Sequence, residues 1–126
     1  MIPPIEGLKD VSFLTNETIF ELEKLPKSLL VLGGGPIGAE MSQAMRRLGV
    51  DVSIVEMSDH ILIREDREIA DVLESRFKKE GINLLTGLKA SKVSQNNGKI
   101  TVALQDKKGE VKEFSAEKLL VALGRT

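Results

Sequence analysis

Three glycines, Gly33, Gly35 and Gly38, and one carboxylate, Glu56, are the residues of this chain whose types and spacing support chemistry. The glycines lie in LVLGGGPIGAEM and satisfy G-x-G-x-x-G. The first permits a tight turn, the second lets a diphosphate approach the backbone where a Cβ would obstruct it, and the third lets a helix pack closely on the preceding strand. Amides at the helix mouth and the positive end of its dipole then face the anion. Glu56 follows Gly38 by 18 residues and ends the next apolar run, DVSIVE, where a carboxylate can accept both ribose hydroxyls of an adenosine. The spacing alone is weak. Its context adds weight, because an apolar run ends at the first glycine and a helical pattern opens across the third. A plain strand-to-helix turn would need one or two glycines and no acid.

The acid also selects between cofactors. A 2′-phosphate would meet the charge of Glu56, and the following MSDHILI offers no arginine before Arg64. A hydrogen bond to a charged group contributes about 1.5–3 kcal/mol, which predicts NAD over NADP by about one to two decades. Pro36 and Ile37 within the loop, and Met57 beside Glu56, complete the candidate cofactor-binding segment. A methyltransferase holding S-adenosylmethionine also places an acid at this strand end, but the spacing and the proline that follows argue against it.

These residues need a scaffold. SLLVL, residues 28–32, is apolar on both alternating faces, as expected of a central strand covered on both sides. Ile37, Met41, Ala44, Met45 and Leu48 recur at helical spacing, with Pro36 in the first turn, Arg46 and Arg47 at the negative end of the dipole and Gly49 as the stop. DVSIVE, residues 51–56, is a second strand. A second helix is expected from about Arg64 to Glu80, with Ile69, Val72, Leu73 and Phe77 on one face and Gly81 closing it. This alternation predicts parallel strands with right-handed crossovers.

INLLT, residues 82–86, reads as a third strand. SKVSQ and KITVAL flank Asn97-Gly98, the dipeptide suited to a type I′ hairpin. The region from about Leu88 to Phe114 is expected to form an antiparallel meander crossing one end of the sheet, with Leu119 to Leu123 returning to its centre. Residues 1–27 read as an irregular lead-in, with Thr15 or Asn16 capping a short helix that runs through Leu25 and ends at Pro26. The expected fold is α/β: one Rossmann-like three-layer domain over residues 28–126, with a central parallel sheet, helices on both faces and the antiparallel β-meander.

Composition excludes several functions. At 126 residues, 41% apolar and 29% charged, the chain suits one compact domain with a core. Its net charge of -1 comes from 18 basic and 19 acidic residues without a like-charged block, so neither nucleic acid nor a membrane is an expected partner. No apolar stretch reaches the roughly 20 residues that span a bilayer, and no signal peptide is visible, so a cytoplasmic location is expected. Cysteine is absent, which removes disulfides, thiolate metal sites and thiol redox chemistry from this chain. Ser42 and Ser53 have no histidine partner in pattern, and the one histidine, His60, reads as a solvated loop residue. Asp59, Glu65, Asp66 and Glu68 read as helix-start carboxylates rather than a metal site, and Glu74 with Lys78 as a surface i, i+4 pair. No catalytic or metal-ligating residue is expected.

LPKSLLVLGGGPIGAEMSQAMRRLGVDVSIVE, then ILIREDREI, then KLLVALGRT together resemble the nicotinamide-nucleotide-binding domain of the pyridine nucleotide-disulfide oxidoreductases, closest to the mercuric reductase and dihydrolipoamide dehydrogenase branch. The likeness covers nearly the whole chain. It implies a homodimeric FAD enzyme in which NAD(P)H exchanges hydride with flavin and flavin exchanges electrons with a cysteine pair. It assigns Gly33, Gly35 and Gly38 to the diphosphate and Glu56 to the ribose. Glu40, also favourable to the dipole as a first-turn residue, matches a glutamate that pairs with a lysine of the FAD domain. Gly124 matches a glycine-arginine turn near the cofactor, followed by Arg125. Pro36 stands where many members carry a tyrosine that covers the flavin, so that gate does not carry over. The cysteine pair, the FAD fingerprint and the dimerisation domain have no counterpart in the sequence. The expectation is therefore an excised domain that binds NAD(H), with FAD and the dimerisation surface in the rest of the parent, and no turnover alone. A stand-alone NAD-sensing module is the alternative. The terminal electron acceptor is chosen outside this region.

Overall fold

A computed structural model describes residues 5–15, 18–58, 61 and 66–122. The chain runs β1 (Ser28–Leu32), α1 (Pro36–Arg47), β2 (Asp51–Glu56), α2 (Arg67–Lys79), β3 (Asn83–Thr86), β4 (Lys89–Asn96), β5 (Lys99–Gln105), β6 (Val111–Ala116) and β7 (Lys118–Val121). A parallel sheet has the order β3-β2-β1-β7, and an antiparallel sheet the order β4-β5-β6. The α/β class and the central parallel sheet are as expected. β1 is an interior strand whose Leu29, Leu30, Val31 and Leu32 are all at most 1% exposed. Removing each such side chain from water contributes about 1.5–3 kcal/mol.

The layers correct one expectation. Helices do not cover both faces: Ala39 and Met45 of α1 and Ala70 and Phe77 of α2 join Leu29, Val31, Val52 and Ile54 in one core. Leu30, Leu32, Val55 and Leu119 point the other way, against Val93, Ile100, Val102 and Leu104 of the antiparallel sheet. Right-handed crossovers explain this. Steps from β1 to β2 to β3 in one direction put both helices on one face, and the return from β3 to the far side of β1 puts its connection on the opposite face. That connection is the meander, which therefore packs on a face of the parallel sheet instead of crossing its end. β7 correspondingly lies at the edge of the sheet, paired only to β1 within it, and not at the centre.

The turns follow their residues. Asn97 and Gly98 both have positive φ, 53° and 78°, as a type I′ hairpin requires. Gly49 and Gly81, with φ of 98° and 93°, stop the two helices as expected. Asp66 caps α2 by accepting the Glu68 N–H at 3.1 Å. The ends of the helices are tied together at Glu80, whose carboxylate accepts from Gln43 (2.9 Å) and Arg47 (3.2 Å) while its carbonyl accepts from Arg46 (2.7 Å).

Both helical stripes differ from expectation. On α1 the buried residues are Gly38, Ala39, Ser42 and Met45, whereas Ile37 and Leu48 are 48% and 62% exposed. The close approach of Gly38 to the strand exit turns the small-residue side of the helix inward and moves the bulkier residues to its flank. On α2, Ala70 and Phe77 are buried with Leu73 packed against them, while Ile69 and Val72 are exposed. The expected short helix before Pro26 is reduced to a 3₁₀ turn at Ile19–Glu21. The lead-in contributes to the core through Leu8 and Val11, and Leu14 pairs with β7 through bonds of 2.7 Å to Leu119 and 2.8 Å from Val121. Among the described residues no helix is long and apolar enough to cross a membrane.

Candidate functional site

The carboxyl ends of β1 and β2 lie side by side, and the loop between β1 and α1 is built across them. Gly33, with φ of 113°, extends the ladder by donating its N–H to the Val55 carbonyl at 2.8 Å. That left-handed conformation is open to glycine and costs other residues about 1–2 kcal/mol. The first intrahelical bond of α1 runs from the Ala39 N–H to the Gly35 carbonyl, 2.9 Å. The amides of Gly35, Ile37 and Gly38 therefore precede the helical ladder and lie at its positive end, while Pro36 carries none. A Cβ on Gly38 would stand 2.1 Å from the Gly33 carbonyl oxygen and 3.4 Å from the Ala122 Cβ, so this glycine is what lets the helix sit on the strand. A Cβ on Gly35 would meet nothing within 4 Å. The space over Gly35 is open, as an approaching diphosphate requires.

Glu56 is joined to this loop directly. Its Oε1 accepts the Gly34 N–H at 2.9 Å and its Oε2 accepts the Ser58 N–H at 2.9 Å. Each carboxylate oxygen keeps a second lone pair, enough to accept two vicinal hydroxyls without giving up either amide. The exit of β3 steadies the segment: Leu88 donates to the Glu56 carbonyl at 3.2 Å and Gly87 to the Ser58 carbonyl at 2.8 Å. The structure thus brings together Gly33, Gly35, Pro36, Ile37, Gly38 and Glu56, with Met57 beside them, 58% exposed. These residues form a cradle of amides with an acid on one rim, donors for an anion beside an acceptor for hydroxyl groups.

The family of this scaffold follows from comparison with known proteins. The pyridine nucleotide-disulphide oxidoreductase pattern matches residues 1–126. The chain belongs to this family. It is 38% identical over 126 residues to dihydrolipoyl dehydrogenase of Bacillus subtilis, covering 99% of this chain and 26% of that protein. It is 35% identical over 124 residues to mercuric reductase of Staphylococcus aureus, covering 98% and 22%. The HOCl-induced flavoprotein disulfide reductase RclA from Escherichia coli superposes with a TM-score of 0.88 at 28% identity, over 100% of this chain and 28% of that one. The chain thus spans about a quarter of the length of these pyridine nucleotide-disulphide oxidoreductases.

Other site expectations fare differently. Glu40 is exposed and is the fifth residue of α1, so it stands beyond the first turn, which holds no acid. The helix dipole therefore does not favour Glu40 as expected, because that attraction fades within one turn. Gly124, Arg125, His60, Asp59, Arg64 and Glu65 lie outside the described residues. Ser42 donates its buried hydroxyl to the Gly38 carbonyl at 2.6 Å, and Ser53 accepts from Asn83 at 3.2 Å, so both serve the packing. Among the described residues no cluster suited to a metal is present.

Sequence reasoning missed three contributors. Gly34 was passed over as the variable position of the motif, yet a Cβ there would stand 2.8 Å from Ile61 Cγ2 and 3.2 Å from Glu56 Oε1. The middle glycine of the GGG run is its signal. Ser58 contributes its backbone N–H and carbonyl, which no residue type announces. Glu74 accepts the Ile61 N–H at 2.8 Å, a bond across elements that replaces the surface role expected from helical spacing.

Proposed function

We propose that this domain binds NAD(H) and, within a longer FAD-dependent pyridine nucleotide-disulphide oxidoreductase, presents the nicotinamide for hydride transfer to or from flavin. The observation that carries the proposal is the Glu56 carboxylate, held by the amides of Gly34 and Ser58 beside an open helix mouth. In this reading the amides of Gly35, Ile37 and Gly38 hold the diphosphate, and Glu56 accepts the ribose hydroxyls. The bound cofactors supply the redox chemistry. The protein's part is to fix the adenosine half, so that the nicotinamide end leaves across the mouth of α1 past Ile37. Glu40, exposed beyond that mouth, is assigned to pairing with a cation of the flavin-bearing part, and Gly124, outside the described residues, keeps the cofactor-binding role that the resemblance implies. Residues 28–126 then form the nucleotide domain, with residues 1–27 leading into it. The domain alone binds and does not turn over.

Titration of the 126-residue chain with NADH and NADPH by calorimetry tests this. The expected result is binding of NADH tighter than NADPH by about one to two decades. Glu56→Arg should weaken NADH by a similar factor and reverse the preference, since a cation then faces the 2′-phosphate. Equal affinity for the two nucleotides, unchanged by Glu56→Arg, would remove the ribose assignment.

A further inference from the structure

We infer that Glu74, on α2, is a positioning residue for the dinucleotide cradle: by holding the Ile61 backbone it sets the Ile61 side chain against Gly34 and so fixes the amide that orients Glu56. The inference rests on the NAD(H) reading of the site and identifies what holds its acid in place.

Three contacts form the relay. Glu74 Oε2 accepts the Ile61 N–H at 2.8 Å. Ile61, fully buried, supplies the two atoms nearest to where a Gly34 Cβ would lie, Cγ2 at 2.8 Å and Cβ at 3.1 Å. Gly34 in turn donates its N–H to Glu56 Oε1 at 2.9 Å. Gly34 is thus bounded by an apolar side chain and a carboxylate, and its peptide cannot rotate without losing the bond or striking Ile61. Core packing alone would require the Ile61 side chain but no carboxylate on its amide. A neighbouring helix supplies that carboxylate from a half-buried position, at the register where an i, i+4 surface pair with Lys78 was available instead. The cradle is therefore tied to α2 as well as to the strand that carries Glu56.

The test compares Glu74→Ala, Glu74→Gln and Glu74→Asp in the 126-residue chain, with NADH and ADP titrated calorimetrically and thermal melting measured in parallel. Glu74→Ala should weaken both ligands about tenfold, the effect of one lost charge-assisted bond. Glu74→Gln keeps an oxygen that accepts the amide and should stay within about twofold of wild type. Glu74→Asp, one methylene short, should behave like Glu74→Ala. In Ile61→Leu, which has no branch at Cβ and so lacks the Cγ2 methyl nearest Gly34, adding Glu74→Ala should cost less than it does in the wild-type chain, because the two act through one contact. Wild-type affinity in Glu74→Ala, even with a lowered melting temperature, overturns the inference and leaves Glu74 a packing residue. So does a Glu74→Gln as weak as Glu74→Ala. A wild-type chain that fails to bind NADH overturns the NAD(H) reading and this inference with it. Tight wild-type binding with indifferent Glu74 variants overturns only the second.

Discussion

Replacing Gly35 and Gly38 by alanine, one at a time, separates a phosphate cradle from a simple turn. Gly35 has φ of -77° and ψ of -174°, a conformation alanine adopts without strain, and a Cβ there meets nothing within 4 Å. Alanine is poorer than glycine at a helix N-cap but reduces the entropy of the unfolded chain, so these terms oppose and the net change should stay within about 1 kcal/mol. That corresponds to about 4 °C in melting temperature for a domain of this size. Gly38→Ala is different in kind. Its Cβ would lie 2.1 Å from the Gly33 carbonyl oxygen, and the obstacle is backbone, which no rotamer change relieves. Ordinary carbon–oxygen contact is about 3.3–3.6 Å, so α1 must back away from the strand by roughly 1 Å. Overpacking of this sort costs about 1–3 kcal/mol or more, a fall of roughly 5–10 °C. Both variants should nevertheless bind NADH at least about tenfold more weakly, since each costs the diphosphate one or more charge-assisted bonds. The assay is NADH fluorescence titration beside a thermal melt; the chain has no tryptophan or tyrosine, so the nucleotide signal stands on a dark background. A Gly35→Ala protein with unchanged stability and undiminished NADH affinity would show that the loop is only a turn.

Two further predictions concern the scaffold. Gly98 holds φ of 78° with open space around it, so Gly98→Ala should lower stability by about 1–2 kcal/mol through backbone strain alone, read as a lower melting temperature with unchanged NADH affinity. The hydrogen bond from Gln43, and then that from Arg47, hold the Glu80 carboxyl below the usual glutamate range. A depressed folded-state value means that this stabilisation is complete above the unfolded glutamate value and is lost as pH falls through the lower, folded one. Glu80→Gln should therefore show a shallower fall in melting temperature on acidification than wild type, and added salt should shrink the difference because Glu80 lies at the solvent edge.

The sequence made some features plain and concealed others for physical reasons. β1 was legible because a strand buried on both faces is apolar at every position, and the hairpin because Asn97-Gly98 alone suits two successive positive φ values. The glycine spacing and Glu56 announced the cradle because they are needed as residue types. What stayed hidden depends on packing. Periodicity located α1 but not its inward side, since Gly38, Ala39 and Ser42 carry little hydrophobic signal while Ile37 and Leu48 carry much. The layer order was recoverable from the handedness rule but needed the position of β7, and an apolar KLLV reads alike at a centre or at an edge. Ser58 acts through its backbone amide and Ile61 is held by its own, groups that every sequence position but proline possesses. Glu74 looked like half of a surface pair because its partner is 13 residues away instead of four.

Topology explains why the cradle stands at this point of the sheet. The chain builds β1, β2 and β3 in one direction and then places β7 on the opposite side of β1. At such a reversal the connections leave on opposite faces, and a crevice opens beyond the carboxyl ends of the strands that flank it. The first connection is the glycine loop into α1. The end of β7 arrives beside it, with the Ala122 N–H bonded to the Leu32 carbonyl at 2.8 Å. Glu56 stands on the β2 side of this crevice and Ala122 on the β7 side, with the helix mouth between them. Under the proposed NAD(H) reading, an adenosine ribose held by Glu56 would give the dinucleotide one direction, with the adenosine over β2 and the other end toward β7 and Ile37. In that reading one carboxylate would set polarity as well as selectivity, and its placement by Gly34, Ile61 and Glu74 would bear on a reacting end that none of those three residues touches.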